Sequence, residues 1–410
     1  MAGVPLPPGS HRRRLDAQLH AWRGLWQPQP FRELQPAWTQ DWPALAAQVL
    51  ALSEAEVTRL NDDGAAALRL LASHLPEVGE LLALTALPDL PAQPAQPPAN
   101  SFWDWEIPGR KKAQIEAFAA AANAARSAET VAEGSRPVLD WCGGKGHLGR
   151  LLALSWQVPV HSLDFDAGLC AAGAALATRA RAGQDFVHAD ALAVSNWPRR
   201  GEHAVALHAC GELHRRLIRE GARCGVAALD VAPCCYYRGV EMHYQPLAEP
   251  LELRLSRDDT RLAVTETVTA KARETRLRDQ ALAWKLGFDH YRRLHDCAQG
   301  GAGDYRNFKP VPDAWLRASF AECMGYLCPR EGLTLPSVAV LAECERAGWR
   351  RRDQLMRYSV VRHAFRRALE IWLALDLAVH LEEHGYRVGL GVFCARELTP
   401  RNLLLSARLA

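Results

Sequence analysis

The sequence predicts an α/β fold, a largely parallel sheet covered by helices on both faces. Three observations predict it. Between about residues 136 and 240, short apolar runs alternate with helical stretches, as strands and crossover helices do. The first run ends in a glycine-rich turn, "DWCGGKGHLGR", that opens a helix. After a long helical stretch the chain returns to strands at its end, so the sheet is interrupted and then completed.

In order along the chain, residues up to about Leu87 read as helices. In "DWPALAAQVLALSEAEVTRLNDDGAAALRLLASHL" apolar residues recur at three and four, and Ser53 followed by Glu56 is local capping chemistry. "LPDLPAQPAQPPANS" has no helical period and predicts a stiff linker at 88–100. The strand-and-helix core then spans 101–239. Its strands are "RPVLDW", "VPVHSLDFD", "QDFVHADAL", "EHAVALHACG" and "GVAALDVAPCCYY". "HLGRLLALSW", "AGLCAAGAALATRARA" and "ELHRRLIREGARC" are the helices between them. A helical insertion is expected over 240–360, including "TAKARETRLRDQALAWKLGF" and "PDAWLRASFAECMGYL". Over 361–410 a long helix, begun at Tyr358, runs to a glycine stop at Gly385, and a β-hairpin completes the sheet.

Composition excludes little but guides the rest. The 410 residues are 49% hydrophobic and 23% charged, with a net charge of +3 that does not by itself indicate a nucleic-acid partner. With six lysines, nearly all positive charge is arginine, a bias that genome composition explains. No run approaches ~18 apolar residues, so no membrane span is expected. "MAGVPLPPGSHRRRLDAQLHAW" has no apolar signal region, and the eleven cysteines form no C-x-x-C pair. Reduced thiols and a cytoplasmic setting follow as expectations.

The glycine turn contains G-x-G-x-x-G at Gly144, Gly146 and Gly149. In dinucleotide-binding folds a pyrophosphate sits at such a turn. Asp140, just upstream, opposes a pyrophosphate. S-adenosylmethionine (SAM) carries an ammonium, a sulfonium, a ribose and an adenine, and no phosphate. Asp140 therefore favours SAM, with Gly144 and Gly146 letting the backbone approach it. Asp164 ends the second strand, where a carboxylate suits the ribose hydroxyls, and Asp190 ends the third, where an acceptor suits the adenine amino group. Asp166 is the alternative on the second strand. The plainer reading is that Asp164 and Asp190 cap the following helices.

Together "DWCGGKGHLGR", "ALHACGEL" and "APCCYY" resemble a branch of the class I SAM-dependent methyltransferases. That branch includes methyltransferase-like protein 25 and the glutathione S-transferase C-terminal-domain-containing protein; the tRNA acceptor-stem 2′-O-methyltransferases are more distant. "GRKKAQIEAF" (Lys111, Lys112, Glu116) and "LTPRNLLLSA" (Pro400, Arg401, Asn402) are similar to two further elements of it. The resemblance covers roughly 108–240 and 365–410. It implies a seven-stranded Rossmann-like sheet, SAM as cofactor and methyl transfer as activity. The cofactor stations it implies are Asp140, Cys142, Gly144, Gly146, Asp164, Asp190 and His208, with Cys142 standing where the general pattern has its first glycine.

His208 and Cys210 close the fourth strand, and Cys234, Cys235 and Tyr236 follow on the fifth. Packing is one reading, since free cysteine behaves as a small hydrophobe. Metal is a second, but zinc sites usually separate paired cysteines by two to four residues, so no metal is expected. A third is covalent catalysis, because "DVAPCC" superficially resembles the Asp-Ala-Pro-Cys of RNA cytosine-5 methyltransferases, which carry it one strand earlier. The preferred reading is that these five residues shape a catalytic acceptor pocket, with His208 as a candidate general base and Tyr236 as a stacking or positioning group.

The acceptor is open between RNA, protein and a small molecule, with a lean to RNA. Arginines cluster at Arg292 and Arg293, at Arg350, Arg351, Arg352 and Arg357, and at Arg362, Arg366 and Arg367. With Trp349, Tyr305 and Phe308 they offer phosphate contact and base stacking, while a solvated helix face is the ordinary explanation. A module that binds SAM without catalysis is the alternative to an enzyme.

Overall fold

The computed structural model describes residues 6–128, 136–266 and 272–410. The chain forms two compact units, each built from separated segments: Met1–Ala21, Glu80–Val268 and Arg366–Ala410 in one, Trp22–Gly79 and Thr269–Phe365 in the other.

The first unit holds the sheet. Its strands are β1 (Val138–Trp141), β2 (Val160–Asp164), β3 (Gln184–His188), β4 (His203–Cys210), β5 (Ala228–Cys234), β6 (Tyr386–Val392) and β7 (Leu403–Leu409). They lie in the order β3-β2-β1-β4-β5-β7-β6, a seven-stranded sheet of the Rossmann-like kind. The first five are parallel, and β7 runs antiparallel to both β5 and β6. Every residue of β1 and β5 is buried, as strands covered on both faces must be. Helix faces supply Ile115, Phe118, Leu151 and Leu152, which pack with Val138, Val160 and Val205 of the strands.

The expected hairpin is present, with Tyr386 opposite Leu409 and Val392 opposite Leu403. The proline-rich stretch is not a free linker. Leu90 N–H donates to Val392 O at 2.8 Å and Val392 N–H to Pro88 O at 2.9 Å. It thereby covers edge strand β6, which would otherwise offer an unpaired ladder to other chains.

The unit boundaries also differ from those expected. The helix Pro8–Ala21 belongs with the sheet, because its buried polar residues are satisfied there. Asp16 accepts from Trp372 Nε1 at 3.0 Å and Glu252 N–H at 3.1 Å, and Arg12 pairs with Asp376 at 3.1 Å. The long helix expected from Tyr358 to Gly385 is two, Val338–Ala364 and Arg366–Glu383, because the two units divide at Phe365.

The second unit is helical. Ser53 and Glu56 form the capping box expected of them. Helices Ala272–Ala298 and Phe320–Arg330 share a core of Phe288, Phe320, Cys323 and Met324, with Cys344 from Val338–Ala364. Residues 269–271, expected to begin the first of these helices, lie outside the described residues. Among the described residues, no helix is long and apolar enough to cross a membrane.

Most arginines of these runs are engaged with carbonyls and carboxylates of their own unit. Arg351 donates to Leu34 O at 3.0 Å, Arg357 to Leu52 O at 3.1 Å and Arg362 to Trp26 O at 3.0 Å. Arg350 pairs with Glu343 and Arg352 with Asp279, both at 2.7 Å, and Arg292 and Arg293 share Asp289. In the first unit Arg366 is buried and Arg367 pairs with Glu370 at 2.7 Å. The aromatics expected to stack on bases are engaged too: Tyr305 and Phe308 pack on Phe31, and Trp349 on Trp284. These guanidinium groups satisfy helix-connecting carbonyls and carboxylates, which sequence runs alone do not reveal.

Candidate functional site

Between β1 and the helix His147–Trp156 the chain must turn sharply, and it does so through left-handed residues. Cys142 has φ +58°, and Gly144 and Gly146 have φ +60°. Cys142 thus adopts the backbone that the general pattern gives to glycine. Gly143 is required for space: a Cβ there would lie 2.4 Å from Asp140 Oδ2. The two left-handed glycines differ. A Cβ on Gly146 would lie 2.3 Å from Gln184 Nε2 and 2.7 Å from the Phe186 ring, so that glycine serves packing. A Cβ on Gly144 would meet nothing nearer than Leu169 Cδ1 at 3.9 Å, so Gly144 faces open space.

Asp140 braces the turn from beneath. Its Oδ2 accepts from Gly149 N–H at 3.1 Å and from Ser162 Oγ at 3.0 Å. Gln184 Nε2 donates in turn to Ser162 Oγ at 2.7 Å and Gly146 O at 2.8 Å. Burial pushes the Asp140 carboxyl up to about 6, against these hydrogen bonds.

Asp164 ends β2 beside the same turn. Its Oδ2 accepts from Gly144 N–H at 2.8 Å and its Oδ1 from Asp166 N–H at 3.0 Å. Asp166 itself caps the helix Ala167–Ala180 through Leu169 N–H at 2.9 Å, so the two aspartates of this strand have separate positions. Asp190 lies two residues past β3, exposed, with Oδ1 accepting from Leu192 N–H at 2.8 Å. The stations converge on Cys142, whose thiol is pushed up to about 12 by burial and by the charges of Asp164, Asp140, Cys210 and Asp190.

The second half of the site lies at the ends of β4 and β5. The register shifts between Leu207 and Cys210, and His208 within that bulge has φ +64°. His208 is half-buried; burial lowers its pKa, and the charges of Arg401 and Lys111 add to the effect. Cys210 Sγ lies 3.5 Å from Cys234 Sγ. The Cys235 thiol is held low by hydrogen bonds from Cys210 and Cys234 and by the charges of Arg238 and Arg401. Arg401 in turn donates to Glu266 O at 3.2 Å, and Asn402 to Cys394 O at 2.9 Å. Lys112 is held by Asp104 at 2.6 Å and by Glu116 at 3.9 Å, while the neighbouring Lys111 is exposed.

Of the two roles expected of Tyr236, stacking or positioning, its burial disfavours stacking. It is fully buried, its ring set edge-on to His214 at 5.5 Å, and its hydroxyl has no hydrogen-bond partner among the described residues. Tyr237, half-buried next to it, lies under Arg261 instead.

Sequence reasoning missed Ser162, Gln184 and Phe165. The first two were hidden because their value lies across neighbouring strands, where Ser162 bonds Asp140 and Gln184 bonds Ser162. Phe165 had a signal: a large apolar residue directly after a strand, between two aspartates. It is 74% exposed directly after β2, and Leu169, four residues on, and Leu192, just past β3, are exposed too.

Residues 110–240 match the family model described as a methyltransferase domain. No curated protein matches the chain. Three solved structures illustrate the likeness. One is described by the conversion of a disulfide bond into a thioacetal group during echinomycin biosynthesis. It is 21% identical over 27% of this chain and 47% of that one, with a TM-score of 0.23. The Pyrococcus abyssi tRNA (uracil-54, C5)-methyltransferase in complex with S-adenosyl-L-homocysteine is 21% identical over 27% of each chain, with a TM-score of 0.21. The TehB-like SAM-dependent methyltransferase from Corynebacterium glutamicum is 16% identical over 26% of this chain and 59% of that one, also at 0.21. This chain spans less than two thirds of each of them. Residues 110–240 are thus similar to a methyltransferase domain, and the rest of the chain lies outside that match.

Proposed function

We propose that the chain transfers a methyl group from SAM to an anionic acceptor at the C-terminal ends of β4 and β5. The observation that carries the donor half is the open space at Gly144 beside the Asp164 carboxylate. The residues present fit SAM. A carboxylate has about four acceptor sites, and the two hydrogen bonds Asp164 receives leave room for ribose hydroxyls. Phe165, Leu169 and Leu192 offer apolar surface for an adenine, with Asp190 close in sequence for its amino group.

When bound, SAM supplies an electrophilic methyl group on a sulfonium. Asp164 orients the ribose. Asp140 acts through the turn it braces, as a positioning residue rather than a direct partner of the ligand. His208, neutral at pH 7 because its pKa is lowered, is placed to take a proton from the acceptor. Lys111, Arg238 and Arg401 place positive charge around His208 and Cys235, which supports an acceptor carrying negative charge. RNA is the anionic class proposed first, in keeping with the resemblance of "HACG" and "PCCYY" to the branch that has tRNA-acting relatives. The acceptor then reaches these charges rather than the arginine-rich helices.

Radiolabelled SAM incubated with lysate from cells lacking the protein, followed by separation of RNA, protein and small molecules, tests both halves. Label is expected in RNA, and to be lost when Asp164 is replaced by alanine. Label confined to protein or small molecules removes the RNA acceptor and leaves the transfer. Label in no fraction, from protein that binds SAM, removes the transfer and leaves a binding module.

A further inference from the structure

The three cysteines at the ends of β4 and β5 converge more closely than their spacing in sequence suggests. The Sγ atoms of Cys210, Cys234 and Cys235 all lie within 4.8 Å of one another, with Cys210 and Cys234 3.5 Å apart. Two departures from regular strand geometry produce this. The bulge in β4 after Leu207 brings Cys210 into register with Cys234. Cys235, immediately past β5, has φ +46°. In a regular strand successive side chains point to opposite faces. The left-handed step at Cys235 defeats that alternation, so two adjacent thiols can face one point. The spacing rule that argued against metal assumes regular backbone and does not apply here.

The dimensions agree with a soft cation. A zinc–sulfur bond of about 2.3 Å in tetrahedral geometry sets thiolates roughly 3.8 Å apart, between the 3.5 Å of Cys210–Cys234 and the 4.8 Å limit of the group. Packing alone is a poor account of the arrangement, since Cys234 is buried but Cys210 and Cys235 are half-exposed. Two non-glycine residues in the left-handed region, His208 two residues before Cys210 and Cys235 itself, shape the site, and such residues persist where the surroundings enforce them.

We infer that Cys210, Cys234 and Cys235 form a binding site for a soft divalent cation of the zinc type. Three thiolates leave the fourth tetrahedral position to water or to an incoming ligand, the arrangement of zinc sites that take part in chemistry rather than structure alone. The site is built from different residues than the SAM stations, so each stands or falls separately.

The test uses the full chain, reduced, stripped with a chelator and dialysed. Zn²⁺ is titrated in competition with a chromogenic chelator, and Co²⁺ is added separately to read thiolate-to-metal charge transfer in the near ultraviolet. One equivalent of Zn²⁺ per chain and a charge-transfer band are expected. Cys210→Ser, Cys234→Ser and Cys235→Ser should each weaken Zn²⁺ by more than the ~10–100-fold that losing an outer-shell partner produces. Cys224→Ser and Cys297→Ser should leave both readouts unchanged. Absence of stoichiometric Zn²⁺ binding by the unsubstituted chain, or a band that survives all three substitutions, would overturn the site. SAM binding measured on the same samples separates the readings: a chain that binds SAM but no metal loses only this inference, and one that binds metal but no SAM loses only the methyl-transfer proposal.

Discussion

Asp376→Ala is expected to destabilise the sheet-containing unit by about 3–5 kcal/mol, the range for breaking a buried ion pair from one side. Asp376 is fully buried and is the meeting point of five groups, Arg215 at 3.9 Å being the most distant. It accepts from Tyr244 OH at 2.8 Å, Leu247 N–H at 2.9 Å and Ala248 N–H at 3.2 Å, and it pairs with Arg12 at 3.1 Å. Alanine leaves the Arg12 guanidinium, 3% exposed, without its counter-charge and strands three donors in the interior. The cation–π contact of Arg12 with the Trp372 ring cannot substitute, since it does not neutralise the charge. Asp376→Asn keeps an acceptor oxygen but not the charge and should fall between wild type and alanine. Urea unfolding, followed by amide exchange in helices Pro8–Ala21 and Arg366–Glu383, reads the effect. An alanine loss below about 1 kcal/mol, the value of an exposed pair, would show that the node is not what ties the N-terminal helix to the sheet.

The second large effect separates two glycines of one turn. Gly146→Ala places a methyl group against Gln184 and Phe186 in a left-handed backbone. Overpacking costs about 1–3 kcal/mol and the conformation roughly 1–2 more, so a loss of about 2–5 kcal/mol in stability is expected. Gly144→Ala carries the conformational cost alone, because the space beside it is open. Its stability should fall by only ~1–2 kcal/mol. Its SAM affinity should fall by more than its stability does, since the added methyl group enters the space assigned to the ligand. Thermal unfolding and calorimetry on the two variants give the comparison. Equal stability losses with unchanged SAM affinity in Gly144→Ala would remove the ligand from that side of the turn.

Much of the first unit was legible in the sequence, for a physical reason. Strands buried on both faces must be continuous apolar runs, and a strand entering a helix needs left-handed residues. "RPVLDWCGGKG" therefore announces both the strand and the turn. Carboxylates near strand ends were legible in the same way: Asp164 ends β2, Asp140 lies in β1 and Asp190 follows β3 by two residues. What each does was not. Asp140 is tied to the turn by Ser162, distant in sequence, which Gln184 of β3 holds in turn.

The rest was hidden because it depends on distant partners. Nothing local marks residues 22–79 as belonging with 269–365, nor breaks the helix at Phe365, where neither proline nor glycine stands. The arginine runs look alike whether they face water or, as Arg351 and Arg362 do, bind the carbonyls of another segment. Tyr236 sits beside the site in sequence yet faces the core, because Cys235 turns out of the strand before it. That same turn gathers the three thiols.

The central claim is that the glycine turn and the carboxylates of β2 and β3 hold SAM. Isothermal calorimetry on the purified full chain, with SAM, S-adenosylhomocysteine and NAD as separate titrants, tests it most directly. SAM and S-adenosylhomocysteine are expected to bind at one site and NAD not at all. Asp164→Ala should weaken SAM by about 1–3 kcal/mol, roughly 5–150-fold, the loss of a hydrogen bond to a charged group. Binding of NAD without SAM, or a SAM affinity unmoved by Asp164→Ala, would contradict the account.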